Sequence, residues 1–321
     1  MTAQDPALTM TTPMIHVVAA ALVDAEGRVL LAQRPVGKHL AGYWEFPGGK
    51  VEPDEPPLQA LRREILEEIG VEIGTAESLI RIPWHYPGKS ILLDVYRVRE
   101  FHGEPRSCEG QPLKWVPTAA LDIHEMPPAD HPVINALRLP DRYWITPQPA
   151  ADIEAAVAQI DAALERGIRL IQLRAKGYDE SALAALAEVA QRHVRAAGGR
   201  LLINSRIDLA ESLGLDGVHL TSAQLKSCKE RPLPSRFLVG ASCHDTAELT
   251  AARELGVDFA VLGPVRYTPS HPDAAPLGWA QFEALCAQSL MPVYALGGMH
   301  LDDLESARRY GGQGIAGISG F

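Results

Sequence analysis

From Tyr143 onward the chain repeats one unit eight times: a short apolar run followed by a stretch with helical amphipathic spacing. The runs are YWIT, LIQLRA, RLLINSR, GVHL, FLVGASC, FAVLGPV, PVYALGG and GIAGISG. Helical patterns fall between them, among them 151–166, 181–194 and 246–254. Such alternation implies parallel strands joined by crossover helices. Eight units in about 180 residues predict a small (β/α)8 barrel. Phe321 follows the eighth run directly, so the barrel is expected to lack its last helix.

The first 138 residues or so have a different rhythm. IHVVAAALV from Ile15 reads as a strand, Asp24 to Gly27 as a turn, and VLLAQR as the returning strand. LLDVYRV and LKWV are two more strand candidates, and a long helical pattern precedes them. The expected organisation is a flexible lead over 1–14, a first domain over 15–139, a linker over 140–142 and the barrel over 143–321. A length of 321 residues suits two domains, and 46% hydrophobic residues suffice for packed cores. Met10 and Met14 are alternative starts.

The net charge of −10 argues against stable binding to nucleic acid or an anionic membrane. No apolar run is long enough to cross a bilayer, and the N-terminus lacks the basic and apolar parts of a signal peptide. Cys108, Cys228, Cys243 and Cys286 form no CxxC pair, so neither a zinc ribbon nor a disulfide framework is indicated. A reduced, cytoplasmic setting is the expectation. The oligomeric state stays open, a homodimer being one expectation.

GGKVEPDEPPLQALRREILEEIG, Gly48 to Gly70, carries the chemistry of the first half. On a helix, Glu64, Glu67 and Glu68 share one face. Leu58, Leu61, Ile65 and Ile69 make a separate apolar stripe. Clustered carboxylates repel one another, so the face is either a solvated acidic surface or a cation site. The glycines before the helix let backbone carbonyls approach an ion closely. Hard divalent cations take oxygen ligands and bridge to phosphates, which points to Mg²⁺ or Mn²⁺.

Gly49, Glu55, Arg63, Glu64, Ile65, Glu67, Glu68, Gly70 and Val71 occupy every fixed position of the Nudix box. With EFPGGK before the box and GEPRSCEGQPLKWV and MPPADHPVI after it, the segment from Ile15 to Leu139 resembles the Nudix hydrolases of the MutT type. That resemblance implies an α/β/α sandwich with a mixed sheet, and Mg²⁺-dependent hydrolysis of 8-oxo-dGTP to the monophosphate and pyrophosphate. It implies metal ligands at Glu67, Glu68, Glu109 and the Gly48 carbonyl, with Glu64 as general base or further ligand. Arg63 and Glu55 would brace the loop and helix. Arg34, Phe46 and Asp130 would contact the nucleotide. The family has asparagine where this chain has Asp130, which puts 8-oxo selectivity in question. Tyr86 lies where related diphosphatases contact other substrates.

QLRAK, INSR, DGVHL, GASCH, LGPVRYTPSH, ALGG and GISG lie on successive strands from the second. They resemble thiamine-phosphate synthase and TenI. The resemblance implies a ligand site from Gln172, Arg174, Lys176, Asn204 and His244, with Gly297, Gly298, Ile318 and Ser319 as a phosphate cup. Three positions depart from the synthase pattern. Ser205 and Gln224 stand in place of two aspartates that hold Mg²⁺, and His271 in place of a lysine. Neutral oxygens are poor substitutes for carboxylates at a hard cation, so synthase activity is not expected. A TenI-like proton transfer at His244 on a thiazole phosphate, and a scaffold or sensing barrel, remain open. So does a thiamine-pathway enzyme whose Nudix half cleaves a pyrimidine or thiamine diphosphate.

Overall fold

The computed structural model describes residues 14–147, 152–269 and 274–320. The N-terminal lead before Met14, and His271, lie outside the described residues. The first half comprises β1 (Met14–Leu22), β2 (Arg28–Gln33), β3 (Trp44–Glu45), β4 (Gly48–Lys50), α1 (Pro57–Ile69), β5 (Glu72–Ile73), β6 (Ala76–Tyr86), β7 (Lys89–Val98), β8 (Phe101–His102), β9 (Leu113–Pro117) and α2 (His131–Arg138).

β1 is apolar along most of its length because it is buried on both sides. Val18, Ala20 and Leu22 pack with Leu61, Ile65 and Ile69 of α1. Ala19 and Ala21 belong to the opposite core, with Val133, Ile134 and Ala136 of α2. Small alanines let both helices approach. The sheet order is β4-β1-β7-β6, with β1 parallel to β7 and the other pairs antiparallel. The result is the expected α/β/α sandwich on a mixed sheet. β3-β2-β9 and β5-β8 form two smaller antiparallel sheets.

α1 starts on Pro57, whose fixed φ suits the first helical position. It stops at Gly70, left-handed at φ 69°, whose N–H bonds Leu66 O. Each of Leu61, Ile65 and Ile69 is fully buried, contributing about 1.5–3 kcal/mol apiece. Leu58, expected on that stripe, is instead 40% exposed, and Ala60 takes the buried place. β6 was not legible in advance. Pro83 interrupts its pattern, and a bulge between Ser78 and Ile80 breaks its alternation. Pro83 is tolerated because β6 is an edge strand.

The second half is a closed barrel of β10 (Arg142–Ile145), β11 (Leu170–Leu173), β12 (Arg200–Asn204), β13 (Gly217–Leu220), β14 (Leu238–Cys243), β15 (Phe259–Leu262), β16 (Val293–Leu296) and β17 (Gly314–Gly317), all parallel. The crossovers are α3 (Ile153–Glu165), α4 (Glu180–Ala196), α5 (Ile207–Ser212), α6 (Ser222–Ser227), α7 (Thr246–Leu255), α8 (Gly278–Cys286) and α9 (Leu304–Arg309). All eight apolar runs became strands, and among the described residues no helix follows β17.

The first half sits on the bottom of the barrel, where its strands begin. Leu139, just past α2, packs inside the barrel with Tyr143, Leu202, Phe259 and Tyr294. The free carbonyls at the end of α2 are satisfied largely from outside that helix. Gln313 Nε2 donates to Ala136 O and Leu139 O, each at 3.0 Å. Arg200 donates to Arg138 O, and Arg97 to Ala136 O at 3.3 Å. Pro140 and Asp141, in the stretch expected as a linker, are also tied to the barrel. Tyr294 donates to Pro140 O at 2.5 Å, and Arg308 to Asp141 Oδ2 at 2.9 Å.

Candidate active site and barrel mouth

Arg63 organises the exposed side of α1. Its guanidinium forks onto Glu55, with both bonds at 2.9 Å, and reaches Glu64 at 2.9 Å, Glu67 at 3.2 Å and Lys50 O at 3.1 Å. The bond from Arg63 holds the Glu55 carboxyl down to about 2. So Glu55 fixes the loop to the helix through Arg63. Gly49 lies under Glu64: a Cβ there would sit 2.2 Å from its carboxyl.

Glu68 faces inward. Its Oε2 accepts from Gly48 N–H at 2.8 Å. Burial pushes its carboxyl up to about 7, with the charges of Glu45 and Glu109 adding and the Gly48 N–H opposing. Gly48 is where only glycine fits: φ is 155°, and a Cβ would lie 2.1 Å from Val18 O. Gln111, not singled out from the sequence, joins the loop to the helix. Its Nε2 donates to Glu68 O at 3.0 Å, and its Oε1 accepts from Glu109 N–H at 3.1 Å.

These groups fit a hard divalent cation. All are oxygen donors, and Glu68 is a half-buried carboxylate whose anionic neighbours are Glu45 and Glu109. The side chains do not stand as a preformed cage: among the described residues, no three His, Cys, Asp or Glu side chains are grouped to hold a metal. Glu64 and Glu67 are turned to Arg63 instead.

A second cluster adjoins. Arg34 pairs with Glu45 and donates to His39 O at 2.7 Å. Asp130, at the start of α2, is 5% exposed. Burial and the charge of Glu45 push its carboxyl well up, against Arg34. Burial and the charge of Asp130 raise the Tyr86 hydroxyl as well, so Tyr86 belongs here. Phe46 is 3% exposed and packs in the core beside α2. Glu45 was missed, although EFPGGK contained it.

At the barrel, Arg174 and Lys176 follow the end of β11, Asn204 ends β12, and His244 follows β14. Gln172 is not at the surface. It is 2% exposed and donates to Tyr143 OH at 3.0 Å inside the barrel. From there a polar chain runs through His219 Nδ1 at 3.2 Å and His219 Nε2 to Ser242 Oγ at 2.9 Å. His244 Nδ1 is 2.8 Å from buried Glu248 Oε2, which also accepts the His244 N–H at 2.8 Å. Glu248 one turn on was the legible but unread signal. Gly297 and Gly298 have φ of 98° and 64°. Ile318 O accepts from Trp144 Nε1 at 3.2 Å, and Ser319 is exposed beside it.

Gln224 answers for the missing carboxylates. It closes a capping box with Thr221 and donates to Ser205 O at 2.7 Å. Its amide therefore bonds the very loop that would need to face a cation.

The NUDIX domain model matches residues 13–137, and the thiamine monophosphate synthase model, which includes TenI, matches residues 142–321. The chain belongs to both families. This Nudix–barrel fusion is thus a Nudix hydrolase in its first half. That half is 44% identical over 124 residues to a CTP pyrophosphohydrolase of Escherichia coli, covering 38% of this chain and 90% of that one. It is 42% identical over 128 residues to an 8-oxo-dGTP diphosphatase of Haemophilus influenzae, covering 40% and 94%. The barrel is 35% identical over 176 residues to a thiamine-phosphate synthase of Thermus thermophilus, covering 53% and 83%. No described helix is long and apolar enough to cross a membrane.

Proposed function

We propose that the Nudix half is a Mg²⁺-dependent diphosphatase that converts 8-oxo-dGTP to 8-oxo-dGMP and pyrophosphate, sanitising the nucleotide pool. The observation that carries this is Glu68, a half-buried carboxylate among anionic neighbours, locked to the glycine loop by Gly48. Gly48 O, Glu67, Glu68 and Glu109 would hold the ion. When bound, it would polarise phosphate oxygens and offset charge on the departing pyrophosphate. Glu64, with Arg63 holding one oxygen, takes the proton from the attacking water. Arg34 and Asp130 orient the base over the floor made by Phe46. The test is hydrolysis of a nucleotide panel with Mg²⁺ and products resolved. Inertness toward every nucleoside triphosphate would overturn it.

One observation favours a second substrate. Burial keeps Asp130 in its neutral acid form over a wider pH range. A neutral acid donates through O–H and accepts through C=O. That pair matches N3 and N4–H of cytosine as well as O6 and N1–H of guanine. CTP is therefore the comparison substrate of most value.

For the barrel we propose phosphate binding without thiamine-phosphate synthesis. Gly297 and Gly298, at φ 98° and 64°, would turn backbone N–H groups to an anion, while Ser205 and Gln224 lack the charge for a pyrophosphate-bound Mg²⁺. His244, whose Nδ1 is 2.8 Å from Glu248 Oε2, would carry a TenI-like proton transfer on a thiazole phosphate. A thiazole phosphate left unchanged by the purified protein would leave the barrel as a binding module.

A further inference from the structure

A cavity of about 420 Å³ lies between the halves, against the bottom of the barrel and far along the strands from its mouth. Four arginines line it: Arg138 from the end of α2, and Arg195, Arg200 and Arg236 from the barrel. The facing carboxylates are Asp216 and Asp258. Both are already engaged. Asp216 pairs with Arg195 at 3.3 Å and accepts from Gln191 Nε2 and Leu201 N–H. Asp258 pairs with Arg231 at 2.6 Å and accepts from Val239 N–H.

The remaining cations are in surplus. Among the described residues, Arg200 has no carboxylate within ion-pair reach; it donates to Arg138 O. Arg236 is exposed, has no ion pair, and lies over the Phe237 ring at 4.6 Å. Arg138 is held by the carbonyls of Thr118, Ala119 and Leu121, which add no negative charge. Burial lowers the guanidinium pKa of both Arg138 and Arg200, and in Arg138 the charge of Arg200 adds to this. Net positive charge gathers here in a chain of net charge −10. Guanidinium groups meet phosphate with matched, charge-assisted hydrogen bonds. The volume is in the range that takes a small organic ligand.

We propose that this junction cavity binds a small phosphorylated organic molecule, distinct from the Nudix site and from the barrel mouth. Arg200 and Arg236 supply the charge, and Phe237 an apolar wall. The ligand would touch Arg138 of one half and Arg200 of the other, so it binds only the docked arrangement and stabilises it.

Ribose 5-phosphate serves as probe. Calorimetric titration of the full chain is done in chelator, which silences the metal-dependent site. Gly298→Val, aimed at the mouth, should leave one binding event. In that background Arg236→Glu should weaken it at least about tenfold, the effect of losing a charge-assisted hydrogen bond, and Arg236→Lys should keep most of it. Arg236 is exposed, so these variants should fold; Lys176→Ala replaces Gly298→Val if that background does not. In the Gly298→Val background the probe should also raise the melting temperature, and it should no longer do so once Arg236→Glu is added. Inorganic phosphate binding as well as the sugar phosphate would discard the organic part of the proposal. No binding, or binding indifferent to both Arg236→Glu and Arg200→Gln, would overturn the site.

Discussion

Gly48 N–H donates to Glu68 Oε2 at 2.8 Å, joining residues 20 apart. The bond sets the glycine loop and the box helix at one fixed distance. Glu68→Gln keeps the shape but removes the charge. Turnover with Mg²⁺ should fall at least about a hundredfold, since even outer partners of metal ligands matter by 10–100-fold. The folded signal by circular dichroism should not change. Near-native rates in Glu68→Gln, or full activity of the parent in excess chelator, would remove α1 from the chemistry.

Asp130 sits 5% exposed beside the Arg34–Glu45 pair. Its raised pKa means that the neutral acid gives way to carboxylate as pH rises through that value. Base preference should then drift with pH in the parent, because a carboxylate only accepts. Asp130→Asn cannot ionise. The ratio of kcat/KM for 8-oxo-dGTP to that for CTP should therefore be flat with pH in the variant and sloped in the parent. Matching profiles would make Asp130 a structural residue of α2.

His219 is buried in the barrel, and burial pushes its imidazole down to about 3 from 6.5. The unfolded chain takes up a proton below about 6.5 while the folded chain does not. Stability is thus complete above that pH and declines as pH falls toward 3. The loss is about 1.4 kcal/mol per unit, or about 2 kcal/mol at pH 5. Urea unfolding of the barrel at pH 7 and pH 5 should show that loss in the parent, and a clearly smaller one in His219→Gln. Equal losses would assign the acid sensitivity to other groups.

Gly298 has φ 64°, and a Cβ there would meet Tyr267 O at 2.7 Å. Gly298→Val should abolish binding of a thiazole phosphate at the barrel mouth. The parent should not join that phosphate to a pyrimidine diphosphate at a measurable rate. Robust Mg²⁺-dependent joining would show that Ser205 and Gln224 suffice after all. A ligand held equally by Gly298→Val would place the phosphate elsewhere.

Periodicity and spacing were enough for the barrel's eight strands and for α1 with its carboxylate face. Both are local patterns, written in residues close in sequence. Leu58 shows where such reading stops: it lies on the expected helical stripe, yet it is 40% exposed, and Ala60 is buried instead. β6 escaped because an edge strand tolerates the proline that sequence rules treat as a break. The partners that tune each site were decided by tertiary structure. Glu45 and Gln111 become neighbours of Glu68 only when β3 and the loop before β9 fold over the helix. Gln172 looked like a mouth residue, yet it turns inward to Tyr143 because the barrel closes around it. The docking of α2 onto the barrel floor, with Leu139 inside it, rests on Gln313, Arg200 and Tyr294. No spacing links those residues to α2, since hydrogen bonds and burial act through space, and only the folded chain sets those distances.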